Sequence, residues 1–171
     1  MNFDLVTQLI LDYWPFWVGL AVFIALILLL RMYGGERPFP YRRRDSLVTK
    51  TELRFYRSLV KAAQDEFELF AMVRIADILQ VDPELPNKRK WLNSILAKHI
   101  DFVVCDQQTL KPLVCIELDD PSHTRPERVE RDVFVNRAFA SAGLPLLRIP
   151  TQNNYHAKEL RDLIDKARGA A

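Results

Sequence analysis

The sequence predicts an α/β fold, a mixed four-stranded sheet flanked by helices and preceded by one transmembrane helix. Three observations carry that expectation. An uncharged apolar run, Tyr13 to Leu30, stands near the N-terminus. Four short strand-like runs then alternate with amphipathic stretches, and acids interrupt or end two consecutive ones, His99 to Cys105 and Pro112 to Asp119. At 171 residues the chain holds one ordinary globular domain and an appendage.

The appendage comes first. Crossing the hydrocarbon region takes about twenty residues, so the span is expected over residues 9–30, starting near Leu9 or Ile10 with Asp12 at the interface. Tyr13, Trp14 and Trp17 form an aromatic anchor at one face and Tyr33 a smaller one at the other. Asp4 and Asp12 precede the run, whereas Arg31, Arg37, Arg42, Arg43 and Arg44 follow it, which puts the C-terminal side in the cytoplasm. A signal peptide fits poorly, since no basic region precedes the run and Arg31-Met-Tyr-Gly-Gly35 offers no small-x-small cleavage site. The expected organisation is an anchor over 1–31, a basic linker over 32–46 and a cytoplasmic domain over 47–171.

Charge is unevenly distributed. From Arg31 to Asp45, five arginines against Glu36 and Asp45 leave +3, while residues 46–171 hold about +1 of the overall +2. The basic character is therefore juxtamembrane, and Arg42, Arg43 and Arg44 are expected to meet anionic lipid headgroups. Cys105 and Cys115 lie in strand-like segments of a domain facing a reducing compartment, so small buried residues are expected rather than a disulfide or a zinc site.

Within the domain, Thr49-Lys-Thr-Glu52 has the form of a capping box, and Leu53, Phe55-Tyr56, Leu59-Val60 and Ala63 continue it at helical spacing to about Gln64. Phe67 to Ile75 reads as a strand and Ala76 to Val81 as a short turn or helix. Between Pro83 and Ala97, Trp91, Leu92, Ile95 and Leu96 suggest a helix turned towards the core. Strands follow at Ile100 to Cys105 and Leu113 to Leu118. A helix over about Glu127 to Ala142, with Val129, Val133-Phe134, Ala138 and Phe139 on its covering face, stops at Gly143. Leu144 to Ile149 is a short buried strand before Pro150, and Tyr155 to Ala167 closes the domain as an amphipathic helix. The order is a three-stranded meander followed by a helical crossover to a fourth strand.

Strand residues two apart share a face, so Glu117 and Asp119 project together, as do His99, Asp101, Val103 and Cys105. A hairpin register with Asp101 opposite Glu117 sets Val103 against Cys115 and Cys105 against Leu113. Two carboxylates then meet across strands, which is unfavourable without an intervening positive charge such as Mg²⁺ or Mn²⁺. Taken one at a time, Asp101 also reads as a solvent-facing strand entry and Glu117 to Asp120 as a strand end running into a turn.

At these residues the chain resembles the PD-(D/E)xK nuclease superfamily, whose restriction-endonuclease-like core has the same α-β-β-β-α-β order. The run Ile116-Glu-Leu-Asp-Asp-Pro-Ser-His123, with Asp132 and Ala142-Gly-Leu-Pro-Leu-Leu-Arg148, is similar to the branch related to very-short-patch mismatch-repair endonucleases. Joined to Lys98-His-Ile-Asp-Phe102, it looks like the bacterial domain of unknown function 2726, often found behind an N-terminal membrane anchor. The resemblance spans about Leu47 to Tyr155.

The resemblance implies that Asp101 and Glu117 are metal-binding acids, with the Leu118 carbonyl as a further ligand and Asp119 completing the pocket. It makes Glu52 the helix glutamate that reaches the site through water, a role that competes with its place in the capping box. It makes His123 a general base or phosphate-orienting group and places Asp132 opposite it, a salt bridge to Arg128 or Arg131 being the other reading of Asp132. Where the full motif has lysine, this chain has Asp119, and where related families often carry an arginine it has Val135; Lys98 and Arg148 are the candidates to supply the missing cation. The implied function is a membrane-anchored, Mg²⁺- or Mn²⁺-dependent nuclease-like domain acting on DNA or RNA at the bacterial inner membrane. The alternative is a catalytically inactive binding or scaffold domain of the same fold.

Overall fold

The computed structural model describes residues 7–8, 11–33, 39–119 and 126–170, with side chains in the last stretch from residue 130 onward. It divides into two compact units, residues 1–43 and 44–171. In the first, helix α1 (Trp14–Tyr33) runs for 20 residues with a mean hydropathy of 2.2 and no buried residue. At 1.5 Å per residue it is about 30 Å long, enough in length and composition to cross a bilayer, a property shared by anchors and signal sequences. The helix continues past Leu30 through Tyr33, while the expected start at Leu9 or Ile10 and the Gly34-Gly35 break lie outside the described residues.

The second unit is an α/β domain. Its elements are α2 (Lys50–Ala63), β1 (Phe67–Arg74), α3 (Ile75–Ile78), α4 (Lys88–Leu96), β2 (His99–Asp106), β3 (Pro112–Asp119), α5 (Pro126–Ser141), β4 (Leu146–Pro150) and α6 (Ala157–Gly169). The strands lie in the order β1-β2-β3-β4; the first three form an antiparallel meander and β4 pairs parallel to β3. The α5 crossover between β3 and β4 is what a parallel pair requires.

Alternation along the strands gives the sheet two different faces. Phe102, Val104, Val114 and Ile116 point towards α2 and α6 and pack with Phe55, Leu59, Leu160 and Ile164. The Phe55 ring sits at the centre of this layer, 5.3 Å from Phe102 and 4.9 Å edge-on from Tyr155. On the opposite face Val103, Cys105 and Cys115 meet Ile95 from α4 and Val135 and Phe139 from α5. Arg161 on α6 lies over the Phe67 ring and pairs with Glu66 and Asp165, tying the last helix to the start of β1.

Local chemistry accounts for the boundaries. Thr49 Oγ1 accepts from the Glu52 N–H and Glu52 Oε2 from the Thr49 N–H, closing the capping box that opens α2. Gly143, with φ of 64°, takes the left-handed turn after α5. Between β2 and β3, Asp106 Oδ1 accepts from the N–H groups of Gln108 and Thr109 and from the Thr109 hydroxyl.

Three expectations change. Val103 does pair with Cys115, but the register slips between Val104 and Cys105, so Cys105 faces Pro112 instead of Leu113. The slip leaves Leu113 as one extra residue on the β3 side, close to a turn in which Leu110 has φ of 57°. On α4 only Ile95 is buried; Trp91, Leu92 and Leu96 are exposed. On α5 Phe139 is buried, Phe134 packs against the same cluster and Ala138 is half-buried, as expected, but Val133 is exposed and Val135 takes the fully buried position instead.

Both thiols are free and buried, and burial pushes Cys115 up to about 12 and Cys105 above its ordinary value. At about pH 8 neither should react with a disulfide reagent within minutes in the folded protein, and both should react at once in guanidinium. Rapid native-state labelling of Cys115 would contradict this packing.

Candidate functional site

The acids lie on the α5 side of the sheet, one layer beyond the cysteines. On β3, Cys115, Glu117 and Asp119 follow one another on that face, and on β2 Asp101 precedes Val103 and Cys105. Extending the pairing of Phe102 with Ile116 by one residue sets Asp101 against Glu117, as expected. One Asp101 oxygen, Oδ2, accepts the Leu118 N–H at 2.8 Å. Opposite Asp101 on the other side, Met72 has φ of 56° and interrupts the run of β1–β2 pairs.

The positive charge among these acids is Arg148. Parallel pairing sets it directly beside Glu117, and its Nη2 lies 2.8 Å from Glu117 Oε2. The same guanidinium reaches Asp119 Oδ1 at 3.0 Å through Nη1, Asp132 Oδ1 at 3.4 Å, and Asn136 Oδ1 at 3.0 Å through Nε. Arg131 on α5 stands further off, 3.9 Å from Glu117 Oε1. Lys98 is engaged elsewhere, donating to the Ser94 carbonyl at 2.6 Å with its ammonium over the Phe134 ring. Of the two candidate cations, Arg148 is therefore the one among the acids.

Glu117 is the most buried charged residue described, at 7 % exposure. Burial raises its pKa, assisted by the charges of Asp101 and Asp132, against the lowering influence of Arg148 and Arg131. Asp101 is also raised, first by burial, then by Glu52 and Asp119, while the Leu118 N–H and Arg131 oppose the shift. Five carboxylates, Glu52, Asp101, Glu117, Asp119 and Asp132, thus influence one another against two guanidiniums, and among the described residues negative charge is in excess.

Glu52 is held in its capping box while its charge is felt at Asp101, so both of its expected roles remain compatible with its position. Asp132 meets Arg148 rather than Arg131. Asp120 and His123 lie outside the described residues, as do the side chains of Arg128 and Val129. Asn136 was not anticipated; its spacing of one helical turn from Asp132 is the signal that places both against Arg148. Among the described residues no three acids, histidines or cysteines stand close enough to enclose a metal ion between them.

Comparison with known proteins yields one match. A family model described as protein of unknown function, DUF2726, covers residues 44–167. No curated protein and no solved structure matches the chain.

Two outcomes follow from this geometry. Folded-state pKa values of Asp101 and Glu117 above their ordinary 3.8 and 4.5 mean that the native state binds these protons more tightly than the unfolded chain. Their contribution therefore favours folding below the raised values and declines as pH rises through them. Thermal melts without metal should show this decline, and Asp101→Asn, which keeps an acceptor for Leu118, should flatten it. Arg148→Met leaves Glu117 buried without its partner and should cost about 3 to 5 kcal/mol in urea unfolding; adding Glu117→Gln should recover part of that loss, and strict additivity of the two would disprove the coupling.

Proposed function

We propose, from the premise that the chain belongs to the DUF2726 family and that this membership carries no activity with it, that residues 44–171 form a restriction-endonuclease-like domain hydrolysing phosphodiester bonds of DNA or RNA with a divalent cation. The observation that carries the reading is the opposed Asp101 and Glu117, partly buried, raised in pKa and surrounded by more negative than positive charge.

The donor set suits Mg²⁺ or Mn²⁺. Mg²⁺ is commonly held by one or two carboxylates, with water and substrate phosphate completing its shell. Asp101 Oδ2 is taken by the Leu118 N–H and Glu117 Oε2 by Arg148, with Arg131 at 3.9 Å from Glu117 Oε1, and to Asp101 Oδ1, Glu117 Oε1 and the Leu118 carbonyl we assign the hard donors. A bound cation would supply Lewis-acid polarisation of the phosphate and a more acidic water. Arg148 takes the part of the motif's lysine, its guanidinium beside Asp119 being suited to bidentate contact with phosphate oxygens. To His123 we assign acceptance of the water proton, and to Asp132 the orientation of that histidine.

On the same reading α1 anchors the domain to the bacterial inner membrane, with its C-terminal side cytoplasmic and Arg42, Arg43 and Arg44 against anionic headgroups. One observation favours the second reading, an inactive binding domain of the same fold: Arg148 already neutralises Glu117.

Cation titration followed by melting separates these readings. Mg²⁺ or Mn²⁺ at a hundredfold excess over Kd should stabilise the domain by about 2.7 kcal/mol, and Asp101→Ala or Glu117→Ala should abolish the gain; no stabilisation at millimolar metal would refute the site. Nicking of plasmid or single-stranded DNA that is lost in His123→Ala identifies an enzyme, whereas cation binding without nicking identifies the inactive domain. Protection of a C-terminal tag from protease outside intact cells tests the orientation.

A further inference from the structure

Helix α4 opens with Lys88-Arg89-Lys90, continues with Trp91-Leu92 and contains no acid. Three cations in a first turn oppose the helix dipole, and the left-handed Asn87 before them provides no side-chain cap. Among the described residues none of the three forms an ion pair. Beside them the surface is apolar. Trp91 is 50 % exposed and Val133, facing it from α5, 51 %, with Leu85, Leu92 and Leu96 also exposed. Among the described residues of 44–171, the other large exposed apolar side chains are Leu47, Val60, Phe70, Met72, Leu110 and Leu163. Trp91 and Val133 line a groove of about 850 Å³ together with Leu79, Val81, Leu85 and Phe134, with one acid, Glu130, and one base, Arg137, also on its wall.

We propose that α4 and the facing side of α5 form a docking surface for an anionic phospholipid bilayer. Lys88, Arg89 and Lys90 meet the headgroup phosphates, Trp91 lies at the interface where its ring is half apolar and half polar, and the groove receives acyl-chain carbon. Nucleic acid fits less well, because Trp91 is the one largely exposed aromatic here and its exposed neighbours Leu85, Leu92, Leu96 and Val133 offer successive bases no further stacking partner. The tether strengthens the case and is the part resting on α1 as an anchor. From Tyr33 to Arg44 an extended chain reaches at most about 40 Å, so a weak intrinsic affinity suffices at the high local concentration of a tethered domain.

Residues 44–171 contain all four strands and both core clusters, so they fold as a unit and can be tested alone. Trp91 is their only tryptophan, and its emission reports directly on the surface. Vesicles of phosphatidylglycerol and phosphatidylcholine should shift that emission to the blue, and vesicles of phosphatidylcholine alone should not. Each basic residue near an anionic surface changes partitioning about fivefold, so K88E/R89E/K90E should reduce it by on the order of a hundredfold or more. That variant keeps its fold, since acids suit a helix N-terminus, and its melting curve checks the point. Val133→Glu should weaken binding with every cation in place. Equal binding to neutral vesicles, retained binding in the triple variant, or the same emission shift on single-stranded DNA would each overturn the proposal. None of these measurements depends on cation binding by Asp101 and Glu117 or on the orientation of α1, so their outcomes are separable from the proposed function.

Discussion

The α5 side of the domain depends on the ion pair between Glu117 and Arg148. A carboxylate on a central strand, almost shielded from water, costs several kcal/mol unless a partner charge is fixed beside it. Parallel pairing of β4 with β3 fixes that partner, because it aligns Arg148 with Glu117 in the ladder. The guanidinium is then shared with Asp119 on the same strand and with Asp132 and Asn136 on the crossover helix. One side chain thus joins β3, β4 and α5. A lysine offers a single point charge and lacks the planar fork that makes these contacts at once.

The two faces of the sheet show how this arrangement is accommodated. Under α2 and α6 the layer is apolar throughout and centred on Phe55, Phe102 and Ile164. Under α4 and α5 it is graded: Val135 and Phe139 cover Val103, Cys105 and Cys115, and the next positions along the same strands carry the acids. The charged layer is therefore built against a dry one that holds its backbone still. Burial raises Asp101, Glu117 and Cys115 in common; the charge of Glu117 adds to the shift at Cys115, whereas at the two carboxylates arginines oppose it.

Much of this could be read from the residues because local rules and packing agree. Alternation over Phe67 to Arg74, the capping box at Thr49 and the turn at Gly143 each locate an element with little help from the rest of the chain. Period-two geometry puts Asp101 and Glu117 each on a definite face of its strand, and their opposition follows from one hairpin register, which the pairing of Phe102 with Ile116 matches. What depended on distant contacts was less accessible. The register shifts after Val104, and in the adjoining turn the left-handed position is held by Leu110, so no glycine marks it. On α5 the contacts of Asp132 and Asn136 with Arg148 lie beside Val135, which is buried where the apolar pattern pointed to Val133. The apolar spacing of α4 suggested burial, whereas its basic first turn keeps that helix at the surface with Ile95 alone turned inward.

The charge balance also bears on how the arginine and the proposed cation can share one site. Arg148 satisfies Glu117 through Oε2 and draws Asp119 and Asp132 to itself, so these three acids are partly compensated within the fold. Asp101 is not compensated in the same way. Its described direct contact is a backbone N–H, Arg131 acts on it only through space, and Glu52 and Asp119 add repulsion. Among the described residues the uncompensated negative charge therefore lies nearer β2 than β4. A cation drawn to Asp101 would neutralise charge that Arg148 does not reach, and the arginine could keep its place beside Asp119. Occupation of one position thus need not displace the other, which is the condition under which Arg148 can stand in for a motif lysine rather than merely blocking the site.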